Sequence, residues 1–170
     1  MRVLGIDPGT IATGYGIIDG EELKVVDYGA LLASRGVPIA RRLQTLYEDL
    51  RDVIARYQPS EVAIEEPNVA RNRRATMAVG EAQEVAILAA TERGISVFNY
   101  TPTRIKQLVS GYGASGKEQV QEMVRIQLGL DQAPQPSDAS DALAVAICHI
   151  VERRISRLLT LNKREPEKES

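Results

Sequence analysis

The 170-residue chain has one cysteine and one histidine, and no apolar run approaches the roughly 20 residues that span a bilayer. Cys148 therefore has no partner for an internal disulfide, and we interpret it as a small buried hydrophobic residue. We interpret His149 as structural, since no other histidine is present to share a site with it. The chain also begins without a basic leader. Together these absences predict a reduced, cytoplasmic protein.

A strong excess of positive charge is also absent, because 21 Lys and Arg residues stand against 23 Asp and Glu residues. Any binding of a polyanion must therefore come from local basic patches. Two patches are present: Arg71, Arg73 and Arg74 in the first, and Arg104, Lys106 and Lys117 around a glycine-rich loop in the second. Taken alone, the first patch is more typical of an exposed helix start than of a binding surface.

The hydrophobic content of 44% is enough for one domain that buries a core without metals or disulfides. Apolar runs bounded by turn residues predict strands at 2–7, 14–19, 23–32, 61–66 and 95–100. Helical spacing predicts helices at 39–57 and 72–93, one capped by Thr101, one after the glycine loop, and a last helix from Ser137. This order predicts an α/β fold with a mixed five-stranded sheet flanked by helices. We expect a single domain over residues 1–159 and a disordered polar tail over 160–170.

Acidic residues stand where apolar elements end or begin. Asp7 closes the first strand, Glu65 closes the fourth, and Asp138 and Asp141 open the last helix. A spacing of three residues places the two helical aspartates on one face. Neighbouring strand ends would bring Asp7 and Glu65 to the same edge of the sheet. All four carboxylates converge if the last helix packs across that edge.

Converging carboxylates repel one another unless a cation resolves the repulsion. A set of oxygen ligands suits Mg²⁺ or Mn²⁺ and does not suit zinc. Two such ions about 4 Å apart form the clamp that hydrolyses phosphodiesters. The sequence therefore indicates a metal-dependent hydrolase of nucleic acid, with the basic patches holding phosphates.

Each acidic residue also has a purely structural interpretation. Asp138 and Asp141 would suit the dipole of the last helix as first-turn charges. Asp7 would serve as a turn residue before Pro-Gly. Because Glu65 and Glu66 are adjacent, only one of them needs to point inward. The metal-site hypothesis therefore depends on the combination.

Four segments of the chain closely resemble one family in order and spacing: "GIDPGTIATGYGIID", "VAIEE", "SGYGASGKEQVQEMV" and "PSDASDALAVAICH". These segments resemble the bacterial Holliday junction resolvases of the RuvC family, and the likeness covers nearly all of the chain except the tail. The resemblance implies an RNase H-like fold, a homodimer, and symmetric nicking of a four-way DNA junction with two Mg²⁺ or Mn²⁺ ions in each site. It also implies RuvA and RuvB, the branch-migration complex, as partners.

Carried over by motif, the resemblance makes Asp7, Glu65, Asp138 and Asp141 the catalytic metal ligands. Lys106 and Lys117 match basic positions near the DNA backbone. The first basic patch, Arg71, Arg73 and Arg74, falls in the junction-facing region after the catalytic strand.

The chain departs from the family in one loop. Relatives carry an aromatic residue just after the catalytic glutamate, where it can stack on a base, whereas this chain has Pro67, Asn68 and Val69. Tyr112 in the glycine loop is the candidate to replace that stacking, which contributes about 1–3 kcal/mol per base.

Two other functions compete with nuclease activity. The Asp-Pro-Gly-Thr turn also resembles the phosphate-binding turn of actin-like and sugar-kinase ATPases, but those proteins need two lobes and this chain has room for one. The second alternative is a non-catalytic junction-binding protein. The presence of all four carboxylates argues against it, and the missing aromatic residue after Glu65 keeps it open.

Overall fold

The strands form one five-stranded sheet in a computed structural model that describes residues 1–68 and 72–162. They are β1 (Arg2–Asp7), β2 (Ala12–Asp19), β3 (Lys24–Leu32), β4 (Glu61–Glu65) and β5 (Ser96–Tyr100). The sheet order is β3-β2-β1-β4-β5, with β1 to β3 antiparallel and β4 and β5 added in parallel. The predicted mixed sheet is confirmed, although β2 begins two residues earlier than predicted.

The helices are α1 (Ile39–Tyr57), α2 (Arg73–Thr91), α3 (Pro102–Ser110), α4 (Lys117–Gln127) and α5 (Ser137–Asn162). The Thr101 side chain caps α3 by accepting a hydrogen bond from the Arg104 N–H, and Pro102 lies in the first turn. Because α5 continues through Asn162, residues 160–162 of the predicted tail are helical, and residues 163–170 lie outside the described part. No helix in the described ranges is long and apolar enough to cross a membrane.

Alternation along the strands fills a separate core on each face of the sheet. Leu4 and Ile6 of β1 pack with α1 and α2 on one face. Val3 of β1 and Ala63 of β4 pack with α3, α4 and α5 on the other, where Cys148 is fully buried as predicted. Since α5 crosses this second face, its first turn reaches the ends of β1 and β4.

Glycines in β1 and β2 let α5 lie directly on the sheet. Gly5 pairs with Gly16, and Asp7 pairs with Gly14, in the antiparallel register. A Cβ on Gly5 would lie 2.1 Å from the main-chain oxygen of Ala142 on α5, and a Cβ on Gly14 would lie as close to the same helix. Only glycine permits this approach, which fixes the depth and register of α5 over the sheet.

His149 is fully buried on α5 at the other end of the sheet face. Its Nδ1 lies 2.7 Å from the Tyr100 hydroxyl, and its Nε2 lies 2.7 Å from Oε2 of Glu61. Arg153 donates to the other Glu61 oxygen at 2.6 Å. Both ring nitrogens are therefore used in packing α5 against β4 and β5, in agreement with the structural role predicted for His149.

Candidate active site

Asp7 and Glu65 stand at the ends of adjacent parallel strands. Ile6 of β1 pairs with Ile64 of β4, so the next residue of each strand reaches the same edge of the sheet, as predicted. Both carboxylates line an open cavity of about 260 Å³. The other residues that line this cavity are Asn68, Pro102, Ile105, Lys106, Lys117, Val120, Asp141 and Ala144.

The structure thus brings three of the four predicted carboxylates, and both predicted lysines, to one cavity. Asp138 does not line it, but its charge acts on Asp7, because α5 places it one turn before Asp141. Glu66 does not line the cavity either, and its N–H donates to the Tyr100 carbonyl at 2.9 Å. Of the two adjacent glutamates, Glu65 is therefore the one that faces the site.

Burial and mutual repulsion make the carboxylates difficult to ionise. Burial raises the pKa of Asp7 well above its usual range, and the charges of Glu65, Asp141 and Asp138 add to the rise. Burial also raises the pKa of Glu65, as does the charge of Asp141. A hydrogen bond between Asp7 and Glu65 raises the pKa of Asp7 and opposes the rise in the pKa of Glu65.

Asp141 is held by an ion pair. Its Oδ2 lies 2.7 Å from Nζ of Lys117, the first residue of α4. Burial raises the pKa of Asp141, and Lys117 opposes that rise. The hydrogen bond to Asp141 in turn raises the pKa of Lys117. The lysine side chain is largely exposed, so we assign this pair little net stability.

The carboxylate oxygens around the cavity are the ligand chemistry of a hard divalent cation. Within residues 1–68 and 72–162, however, no three acidic, histidine or cysteine side chains are gathered so that they could hold a metal ion. Asp7 bonds Glu65, and Asp141 bonds Lys117. The donor set fits Mg²⁺ or Mn²⁺ in kind, and Asp7, Glu65 and Asp141 are the residues that would hold such an ion.

The predicted basic patches are only partly at the cavity. Arg73 and Arg74 are exposed in the first turn of α2, which Asn72 caps by accepting from the Arg74 N–H, and Arg71 lies outside the described residues. Arg104 pairs with Glu152 at 2.6 Å, away from the cavity. Tyr112 lies between α3 and α4 with 65% of its surface exposed.

Sequence reasoning missed the residues that position the site. Helix α5 can approach the sheet because Gly5, Gly14 and Gly16 have no Cβ. The buried Thr13 side chain makes two hydrogen bonds to Gly9 in the loop after Asp7. The available signal was three glycines inside strands, a position where glycine often marks close backbone approach.

Comparison with known proteins agrees with this architecture. The family described as Crossover junction endodeoxyribonuclease RuvC matches residues 3–149. The RuvC protein of Dehalococcoides mccartyi is 48% identical over 160 residues, covering 93% of this chain and 97% of the relative. That of Chloroflexus aggregans is 50% identical over 151 residues, covering 88% and 92%.

Solved structures agree as well. Thermus thermophilus RuvC matches with a TM-score of 0.85 and 34% identity, over 92% of this chain and 97% of the other. The T. thermophilus RuvC complex with a Holliday junction substrate matches with a TM-score of 0.83 and 33% identity, over 91% and 96%. These matches confirm the predicted RNase H-like fold. The chain therefore belongs to the RuvC family of crossover junction endodeoxyribonucleases.

Proposed function

We propose that this protein resolves four-way DNA junctions by metal-dependent hydrolysis of phosphodiester bonds. The observation that carries the proposal is one open cavity lined by Asp7, Glu65, Asp141, Lys106 and Lys117 in a chain of this family. The product ends are a 5′-phosphate and a 3′-hydroxyl. Since the substrate is DNA, we place the reaction in the bacterial cytoplasm.

The carboxylates are proposed to hold the metal. Asp7, Glu65 and Asp141 provide oxygens at the cavity, and Asp138 provides one from the turn before. When bound, two Mg²⁺ or Mn²⁺ ions supply an activated water and stabilise the leaving oxygen. The strands hold Asp7 and Glu65 side by side against their repulsion, so these ligands are already adjacent before the cation arrives.

The lysines are proposed to hold the DNA backbone beside the carboxylates. Lys106 of α3 and Lys117 of α4 line the same cavity, where a phosphate can replace Asp141 as the partner of Lys117. Arg73 and Arg74, which are exposed and do not line the cavity, are proposed to contact the junction arms together with Arg71.

The exposed ring of Tyr112 is proposed to stack on a base at the opened crossover. It would take the place of the aromatic residue that relatives carry in the loop after the catalytic glutamate.

A symmetric junction calls for two symmetric sites, so we propose a homodimer. Exposed apolar side chains that suit an interface lie on α2, at Met77 and Leu88, and near the end of α5, at Leu158 and Leu159. Family membership supports RuvA and RuvB as the partners of this dimer. Light scattering on the purified protein measures the oligomeric state, and a monomer under cleavage conditions would contradict paired nicking.

The central experiment compares a labelled synthetic four-way junction with a linear duplex of matched sequence, in Mg²⁺, Mn²⁺ or EDTA. We expect paired nicks confined to the junction, dependent on the metal, and lost in Asp7→Asn. Asp131→Asn removes an exposed carboxylate that does not line the cavity and serves as the matched control. Tight junction binding without cleavage in either metal would instead establish a non-catalytic binding protein.

A further inference from the structure

The Thr13 hydroxyl makes two hydrogen bonds to the loop that follows Asp7 of the candidate site. Thr13 is the second residue of β2 and is fully buried. Its hydroxyl donates to the Gly9 carbonyl at 2.7 Å and accepts the Gly9 N–H at 3.1 Å. Both bonds end on one residue of the short connection between β1 and β2, so a single side chain closes the loop that begins directly after Asp7.

Thr13 cannot act by touching the substrate. Its neighbour Gly14 faces α5, and successive residues of a strand face opposite sides of the sheet. The Thr13 side chain therefore points to the face of α1 and α2, and Thr13 does not line the cavity. Any effect on the chemistry must pass through the loop.

The loop needs such a tie because Asp7 lies against like charges. Asp7 is the last residue of β1, and the chain leaves the strand at Pro8 and Gly9. Asp7 and Glu65 end adjacent strands and line one cavity with Asp141, so movement of this end would separate the carboxylates that the site must keep together. Gly9 is also confined from the side of β2, because a Cβ there would lie 2.3 Å from the Ala12 oxygen.

We propose that Thr13 is a positioning residue whose hydroxyl fixes the loop at Gly9 and thereby holds Asp7 in its metal-binding place. The inference rests on the proposed role of Asp7 as a metal ligand. We expect loss of the Thr13 hydroxyl to lower the affinity for Mg²⁺ and to leave the affinity for DNA unchanged. Threonine or serine can fill this role, while a residue of the same shape without the hydroxyl cannot.

The test compares Thr13→Val, which keeps the shape and removes both bonds, with Thr13→Ser, which keeps the hydroxyl. Thr91→Val is the control, because the Thr91 hydroxyl also bonds a backbone carbonyl, that of Ile87, at the far end of α2. Three quantities are measured for each: the Mg²⁺ dependence of single-turnover cleavage, the Mg²⁺ dependence of Tm, and junction affinity in EDTA.

For Thr13→Val we expect the half-saturating Mg²⁺ concentration to rise by about tenfold or more in both titrations, as for groups that orient metal ligands. Junction affinity in EDTA should stay close to the wild-type value. Thr13→Ser and Thr91→Val should keep the wild-type Mg²⁺ response. If Thr13→Val does not fold, Thr13→Ala removes the same two bonds without a branched side chain and takes its place.

A wild-type Mg²⁺ response in the variant without the hydroxyl would overturn the proposal, as would equal losses in Thr13→Ser and Thr13→Val. Asp7→Asn, measured in parallel, separates the two levels of inference. If Asp7→Asn keeps the wild-type Mg²⁺ response, the proposed metal role of Asp7 fails. If Asp7→Asn loses the response and Thr13→Val does not, only the role of Thr13 fails.

Discussion

A Cβ on Gly14 would lie 1.9 Å from the main-chain oxygen of Asp138, so β2 and the first turn of α5 are in direct backbone contact. That turn carries Asp138, and Asp141 follows one turn later on the same helix. Asp7 pairs with Gly14 in the sheet. The contact between Gly14 and α5 therefore sets the distance from Asp138 and Asp141 to Asp7.

Replacing Gly14 by alanine should therefore impair both folding and cleavage. The added methyl must push α5 away from β2, at a cost of about 1–3 kcal/mol for overpacking. We expect a lower Tm and a loss of junction cleavage in the protein that remains folded. Gly36→Ala is the control, because the nearest atom to a Cβ there is 3.9 Å away. A fully active Gly14→Ala protein would contradict the proposed role of this contact.

Asp7→Asn should abolish cleavage and yet stabilise the metal-free protein. Burial raises the pKa of Asp7, so an ionised Asp7 costs folding free energy at neutral pH. An asparagine carries no such cost and can still donate to Glu65. We expect Tm without metal to rise by about 2–4 °C, the shift that about 1 kcal/mol produces in a chain of this size.

The pH dependence of the Asp7→Asn effect gives a second check. The pKa of Asp7 is raised in the folded state, so its carboxyl group lowers the free energy of unfolding by the full amount only above that pKa. The loss disappears as the pH falls to the ordinary carboxyl range. The Tm difference between Asp7→Asn and wild type should therefore be largest near neutrality and vanish in acid. Added Mg²⁺ should raise the Tm of the wild type more than that of the variant. A pH-independent difference would contradict the assigned cause.

Lys117→Gln should weaken junction binding in a salt-dependent way. A lysine that contacts one phosphate contributes a slope of about 0.9 to the dependence of log affinity on log salt concentration. We expect the slope measured in EDTA to fall by that amount in Lys117→Gln. Lys24→Gln, at the start of β3 and outside the cavity, should leave it unchanged. An unchanged slope in Lys117→Gln would remove Lys117 from the DNA contacts.

His149 should make the protein sensitive to mild acid. Burial lowers the pKa of His149, so the unfolded chain binds a proton at this imidazole more readily than the folded protein does. Stability is therefore lost as the pH falls through the ordinary histidine pKa, by up to about 1.4 kcal/mol per pH unit. Denaturant unfolding between about pH 7.5 and about pH 5.5 should show a steeper loss for wild type than for His149→Gln. Parallel curves for the two proteins would show that His149 does not titrate on unfolding.

The sequence predicted the elements well because most of them follow local rules. The cap at Thr101 and the apolar run of β1 are properties of a few neighbouring residues, and both appear where expected. Strand ends are also local, so Asp7 and Glu65 could be assigned to one sheet edge once β1 and β4 were taken as neighbours.

What the sequence did not reveal depends on distant contacts. Arg104 looked like part of a basic patch with Lys106, but it pairs with Glu152, which is 48 residues away. Lys117 looked like a DNA contact alone, and the structure shows it bonded to Asp141. The sequence predicts Gly14 only as the first residue of a strand, since nothing local indicates that Asp138 lies upon it. Each of these roles appears only after α5 is packed on the sheet.

The strand β4 carries a glutamate at each end of the face that it turns toward α5. Glu61 meets His149 and Arg153 of that helix, so its charge is matched within the fold. The charge of Asp141 on the same helix raises the pKa of Glu65, which stays raised although Lys106 and Lys117 oppose the rise. Unfavourable contacts between β4 and α5, or local frustration, are therefore confined to the Glu65 end of the strand. The matched end therefore anchors α5 on β4, and the unmatched end is the one where a cation and a phosphate backbone are proposed to bind.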